Sequence, residues 1–218
     1  HFFLPAAYLA GAPAASLLAV PVRIMSRRSQ NDYQRKHPFL ARAEHALHRR
    51  MTAILANSAR VATDLIGTEG VEIGRVGLIR NGIDLAAFER PHDRFGSRAA
   101  LTVPAGALVL AIVANLIPYK GHADLLDALG LVGDRLGPSW RLLVIGRDDG
   151  IGASLRQQAQ RLGIAGNILW LGERRDVPDL LRAADLGMLV SHEEGFSNAV
   201  IEAMAAGLAM IVTDVGGG

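Results

Sequence analysis

No cysteine occurs in the 218 residues, so a disulfide scaffold and a thiolate zinc site are both excluded, and a metal could be held only by histidines or carboxylates. Lysine is almost as scarce. Of the 23 basic residues only Lys36 and Lys120 are lysines, which makes arginine the default cation and gives a loop lysine the look of a specific choice. Charged residues form only 20% of the chain against 50% hydrophobic, and that balance excludes disorder, collagen and coiled coil. Several nucleotide and hydrolase motifs are missing too. There is no Gly-x-x-x-x-Gly-Lys, and Gly146-Arg-Asp-Asp-Gly-Ile-Gly152 departs from the dinucleotide fingerprint. Without an Asp-x-Asp, no evident carboxylate pair offers a site to a nucleotide-bound divalent ion. His192-Glu-Glu-Gly-Phe196 begins like a zincin helix but has Phe196 where the second histidine belongs. Gly195-Phe-Ser-Asn-Ala199 narrowly misses the serine-hydrolase elbow, and no histidine follows Ser197 to complete a triad.

The apolar content suffices for one large domain or two small ones, and charge favours two. Residues 1–100 carry 14 basic and 8 acidic side chains, residues 101–218 carry 9 and 13. Within the first part, Arg23 to Arg60 holds nine basic residues against Asp32 and Glu44, a stretch suited to a solvated basic face or to an anionic membrane surface. The apolar opening, Ala6 to Ile24, is interrupted by Gly11, Pro13 and Pro21 and lacks a charged leader, so it reads as a buried helix running into a strand.

From Leu108 onward, short β-rich apolar runs alternate with amphipathic stretches of helix length. Strands are expected at Leu108–Ala114, Arg141–Gly146, Asn167–Leu171, Leu186–Val190 and Ala209–Thr213, with helices at Gly121–Leu131, Gly152–Leu162, Val177–Ala183 and Asn198–Ala206. Continuous apolar strands joined by helices predict a parallel sheet covered on both faces. The first part shows the same grammar: a helix at Tyr8–Leu18, a strand at Val20–Ser26, a helix at Pro38–Met51 with Leu40, Ala43, Leu47 and Met51 inward, a strand at Ala53–Asn57, a helix capped by Ser58, and a strand at Arg75–Arg80. Asn81–Pro104 has no sustained period and reads as a connection.

In open α/β sheets ligands sit beyond the carboxyl ends of strands, where loops enter helix N-termini that favour anions. The loop Ser191-His-Glu-Glu-Gly-Phe-Ser-Asn198 occupies such a place, and Glu202 lies on the helix that follows. Gly195 permits close backbone approach, and Ser197 or Asn198 can cap that helix. Glu194 and Glu202, with seven residues between them, bracket the helix start, and a carboxylate can accept two hydrogen bonds from a vicinal diol. A nucleotide sugar has hydroxyls on either side of phosphate and fits that arrangement. The second such loop, Asn115-Leu-Ile-Pro-Tyr-Lys-Gly121, puts Lys120 at another helix start. The alternative for each is structural: solvated Glu194, Glu202 offsetting a helix dipole, Lys120 on the surface. His37, His45, His48, His92 and His122 show no ligand spacing, so no metal is expected.

These segments resemble the retaining glycosyltransferases of family 4. The likeness rests on the run from Leu186 to Gly217, on Ala114-Asn-Leu-Ile-Pro-Tyr-Lys-Gly121, on Ile79-Arg-Asn-Gly-Ile-Asp84 and on Ile54-Leu-Ala-Asn-Ser58. It implies an α/β, GT-B-like fold of two Rossmann-like domains with parallel sheets, both incomplete here. Residues 1–88 would be the end of the acceptor-side domain, 89–104 a linker and 105–218 the donor-binding domain. It further implies that Glu194 contacts the donor sugar, Glu202 the ribose and Lys120 the diphosphate, with backbone N–H groups of Gly195, Phe196, Ser197, Asn198 and Ala199 cradling phosphate. Many members have Gly-Arg-Leu where Ala114-Asn115-Leu116 stands, which leaves Lys120 to act alone or with Arg147 and places Asn115 at the donor. Ser26-Arg27-Arg28 stands where relatives often carry a histidine on the catalytic side.

The expected activity is transfer of a glycosyl group, with retention, from a nucleotide sugar to a lipid-linked or polysaccharide acceptor, with no cofactor, no metal and no nucleic-acid partner. A cytoplasmic location, peripheral on the inner face of the plasma membrane, goes with it. Alternatives are a GT-B epimerase or phosphorylase and a non-catalytic membrane-associated module. Because the chain opens at His1 without methionine and stops at Gly216-Gly-Gly218, it is expected to be part of a longer parent and inactive alone.

Overall fold

A computed structural model describes residues 1–30, 32–137 and 139–215; the closing Gly216–Gly218, read above as a cut end, lie outside them. Contacts divide the chain into two compact units, His1–Asn81 with Glu193–Ser197, and Gly82–His192 with Asn198–Val215.

The first unit runs α1 (Pro5–Leu17), β1 (Ile24–Arg27), α2 (Asp32–Lys36), α3 (Pro38–His48), β2 (Ala53–Ala56), α4 (Ala59–Gly67) and β3 (Val76–Leu78). Its strands are parallel in the order β1-β2-β3, with Met25 opposite Ile54 and Ile54 opposite Val76. Pro5 starts α1 where a missing N–H costs nothing. Past the helix Ala19 takes a positive φ of 50° and the Val20 N–H returns to the Ala15 carbonyl at 2.9 Å. The strand expected from Val20 therefore begins only at Ile24, and Val22 is left exposed. Ser58 caps α4 as expected, its hydroxyl accepting from the Val61 N–H at 3.2 Å.

One face was misjudged from periodicity. In α3 the fully buried residues are Glu44 and His48, while Leu40 and Ala43 are exposed; Leu47 is half-buried against the core and Met51, beyond the helix, is buried, both as expected. The cause lies on β1, where Arg27 is only 3% exposed, and a buried guanidinium requires carboxylates. Its Nη2 donates to Glu44 Oε2 at 3.2 Å and to Glu69 Oε2 at 2.8 Å. His48 Nε2 lies 2.7 Å from the same Glu69 oxygen, and Tyr8 Oη lies 3.0 Å from His48 Nδ1. Burial alone would raise the Glu69 carboxyl, but the His48 hydrogen bond and the Arg27 charge outweigh it and hold the group low. Arg27 is thus withdrawn from the basic face, whereas Arg42, Arg49 and Arg50 remain on it.

The second unit runs α5 (Ala86–Glu89), α6 (Arg94–Ala100), β4 (Leu108–Val113), α7 (His122–Val132), β5 (Trp140–Ile145), α8 (Gly152–Arg161), β6 (Ile168–Gly172), α9 (Val177–Ala183), β7 (Leu186–Leu189), α10 (Asn198–Ala205) and β8 (Ala209–Val212). The sheet is parallel in the order β6-β5-β4-β7-β8. Successive side chains alternate between two cores: Leu110, Ile112, Leu142 and Val144 join α7 and α8 on one face, and Val109, Ala111, Leu143 and Ile145 join α9 and α10 on the other. That double burial is why these strands read as unbroken apolar runs.

Two short helices, α5 and α6, occupy the stretch expected to be aperiodic. Asp93 caps α6 through the Gly96 N–H at 2.9 Å, and Arg98 donates to the Ala183 carbonyl at 2.8 Å and to Asp185 Oδ2 at 2.8 Å. Asp185 also pairs with Arg94 and accepts the Val109 N–H at 2.8 Å. Burial pushes the Asp185 carboxyl up, but these donors and charges prevail and keep it ionised.

Candidate active site

In the second unit the strand order reverses direction at β4, with β5 on one side and β7 on the other. In open α/β sheets ligands sit at such a switch point, beyond the carboxyl ends of the strands that flank it, here β4 and β7. Lys120 comes from the loop after β4, at the end of a 3-10 turn over Pro118–Lys120. Gly121 follows with φ +70°, and a Cβ there would lie 1.9 Å from the Val190 carbonyl oxygen. The two loops therefore touch backbone to backbone, and the His192 N–H donates to the Tyr119 carbonyl at 2.8 Å. Half-buried Lys120 reaches over the Tyr119 ring, its Nζ 5.3 Å from the centroid.

On the other side of β4, the loop after β5 lies against the same segment. Leu116 N–H donates to the Arg147 carbonyl at 2.8 Å, and Asn115 Oδ1 accepts the Arg147 N–H at 3.2 Å. Asn115 thereby ties the two loops together. The Arg147 guanidinium is engaged by Asp149, with Nε to Oδ1 at 2.6 Å and Nη2 to Oδ2 at 3.2 Å. That hydrogen-bonded pair raises the arginine and lowers the aspartate. For Arg147 to meet a phosphate it must exchange Asp149 for it.

α10 contributes Asn198, exposed, and Ala199, half-buried, in its first turn, with N–H groups that no carbonyl four residues earlier in the helix can accept. Glu202 lies one turn further and is half-buried; burial raises its carboxyl above the ordinary range. The five residues before α10, Glu193–Ser197, belong by contact to the first unit. There Glu194, Gly195 and Ser197 are buried and Phe196 half-buried; a Cβ on Gly195 would meet the Arg28 carbonyl oxygen at 2.4 Å.

His122, the first residue of α7, was weighed in the sequence only as a histidine without ligand spacing. It is buried beside the lysine loop, and burial lowers its imidazole to about 4, with the Ala114 carbonyl opposing and Lys120 adding to the fall. It is therefore neutral at pH 7 and leaves the positive charge of this loop to Lys120. Its place directly after Lys120-Gly121 was the only signal. His192 pairs with Asp124 in the first turn of α7, Nε2 to Oδ2 at 2.5 Å. Among the described residues no group of three or more His, Asp or Glu is placed to hold a metal ion.

A sequence model of the family described as glycosyl transferases group 1 matches residues 107–218. The chain is 34% identical over 169 residues to the D-inositol 3-phosphate glycosyltransferase of Segniliparus rotundus, an alignment covering 75% of this chain and 37% of that protein. It is 32% identical over 175 residues to the lipopolysaccharide core biosynthesis mannosyltransferase LpsB of Rhizobium meliloti, covering 78% and 47%. The chain thus spans less than half the length of these relatives. Among solved structures, Anabaena Alr3699/HepE in complex with UDP and glucose superposes with a TM-score of 0.87 at 27% identity, covering 99% of this chain and 59% of that one. The same protein has been crystallised with UDP-glucose.

Proposed function

Because the chain belongs to the glycosyl transferases group 1 family, with the parallel α/β architecture of GT-B glycosyltransferases, we propose that it is part of a retaining enzyme using a nucleoside-diphosphate sugar. The acceptor in this reading is a lipid-linked or polysaccharide chain of the cell surface. The observation that carries it is the β4/β7 switch point, with Lys120 in the loop after one strand and the start of α10 with Glu202 following the other. HepE, with UDP and with UDP-glucose bound, supports the choice of donor.

Each group has a task. Lys120 offsets the charge that grows on the diphosphate as the bond from the sugar's anomeric carbon to phosphate oxygen breaks. The N–H groups of Asn198 and Ala199 add dipoles aimed at phosphate. Glu202, ionised, accepts both ribose hydroxyls, and Glu194 takes hydroxyls of the transferred sugar. The acceptor hydroxyl oxygen bonds to the anomeric carbon on the face the diphosphate leaves, and its proton passes to a departing phosphate oxygen. With Lys120 and these N–H groups supplying the positive field, the proposed step uses no metal or cofactor.

No helix among the described residues is long and apolar enough to cross a membrane. The exposed Arg49 and Arg50, and the exposed Arg42 over the ring of exposed Phe39, suit a peripheral site on an anionic inner leaflet.

Glu202→Gln tests the reading. Loss of a charge-assisted pair of hydrogen bonds is expected to weaken UDP and uridine alike by about 10- to 100-fold. Wild-type affinity for both falls as pH drops through the raised pKa, because protonation removes the acceptor. Stability runs the other way: a carboxyl whose pKa is raised by folding stabilises only below its unfolded value and loses that contribution as pH rises. Glu202→Gln therefore melts no lower than wild type at pH 7, and the two converge near pH 4. Weak UDP binding accompanied by a lower melting temperature would make Glu202 a structural residue instead.

A further inference from the structure

Three backbone positions meet beyond the carboxyl ends of the first unit's sheet. Arg28 follows β1, Asn57 follows β2, and Arg80 lies two residues past β3. All three line a cavity of about 200 Å³, smaller than the roughly 300 Å³ at which whole drug-sized ligands are accommodated, so it fits a head group.

Its chemistry is one-sided. No aspartate or glutamate is among its described lining residues. Arg27 lines it as well, but that charge is met from behind by Glu44 and Glu69. Arg28 is exposed, steadied by Nη2 donating to Asn81 Oδ1 at 3.2 Å. Arg80 is exposed, and no acidic side chain among the described residues pairs with it. Two guanidinium forks without a carboxylate favour an anion with paired oxygens. Asn57 adds the opposite demand. It is 3% exposed, its Nδ2 donates to the Arg28 carbonyl at 3.1 Å, and its buried Oδ1 accepts no hydrogen bond from the described residues. A buried acceptor left unmatched is costly, and a ligand hydroxyl would satisfy it.

We infer that this cavity binds an acidic group, phosphate or carboxylate, carried on a hydroxylated ring, with Arg28 and Arg80 on the acid and Asn57 Oδ1 on a hydroxyl. That the ligand is the glycosyl acceptor rests on the transferase reading; the site itself does not. It makes Arg28, Asn57 and Arg80 residues that select an anionic acceptor.

Titration calorimetry of the full chain with glucose 6-phosphate, glucuronate, glucose and inorganic phosphate tests it. One or both acid sugars are expected to bind at least about tenfold more tightly than glucose or phosphate, the excess falling with salt. Arg80→Gln and Arg28→Gln each weaken that binding about tenfold or more, whereas Arg90→Gln, the same charge change on an exposed arginine outside the cavity, leaves it unchanged. Equal binding of glucose, or of phosphate alone, overturns the two-part recognition. An equal loss in Arg90→Gln reduces it to net charge, and displacement of the acid sugar by UDP would put it in the donor site. Acid-sugar binding that depends on Arg80 in a chain that fails to bind UDP upholds this site and refutes the donor assignment.

Discussion

Replacing Lys120 with alanine is expected to lower turnover of the enzyme containing this chain by about 10²- to 10³-fold, the scale seen when one preorganised group facing a developing oxyanion is removed. The size of the effect follows from isolation. His122 is buried and neutral at pH 7, and Arg147 is held by Asp149. Neither neighbour is poised to replace the lysine. The chain alone gives a second readout: Lys120→Ala should weaken UDP but not uridine, since only the diphosphate needs the charge. An unchanged ratio of the two affinities would remove Lys120 from the site. Because the side chain is half-buried over Tyr119, the melting temperature should move little.

Gly121→Ala should be strongly destabilising although it adds a single methyl. At φ +70° any L side chain is strained, and its Cβ would lie 1.9 Å from the Val190 carbonyl oxygen, an atom fixed at the end of β7. Relief requires the α7 start to move off the sheet, at a cost of roughly 3–5 kcal/mol, a large part of the 5–15 kcal/mol by which domains are stable. Gly82→Ala is the control, because a Cβ there meets nothing within 4 Å. Urea midpoints should drop steeply for the first variant and barely for the second; equal midpoints would contradict the close approach.

How much of this could be read in the residues depended on whether burial was apolar. The second unit's strands were legible because both faces of β4 and β5 enter hydrophobic cores. Helix α3 differs from its apolar period at Leu40 and Ala43 because its fully buried residues are Glu44 and His48, and their reason for being inside is Arg27 on another element. Helices α5 and α6 are short and held by distant groups, α6 through Arg94 and Arg98 to Asp185, as far as 91 residues away along the chain, and α5 through Arg182 donating to the Phe88 carbonyl; no local period reports such ties. Lys120 and Glu202 could be singled out, since loop position after a strand is a local property. That Glu193–Ser197 groups with the first unit could not, because it depends on contacts such as that of Gly195 with Arg28.

The clamp on Asp185 also governs how this module can be exchanged. A chimera joined at Pro104 would import an aspartate evolved against Arg94 and Arg98 without those arginines, leaving its carboxylate to the Val109 N–H alone. Recombination between relatives, in nature or by design, therefore preserves the second unit when the crossover falls near Asn81–Gly82, so that α6 and its arginines are inherited with the strand they hold.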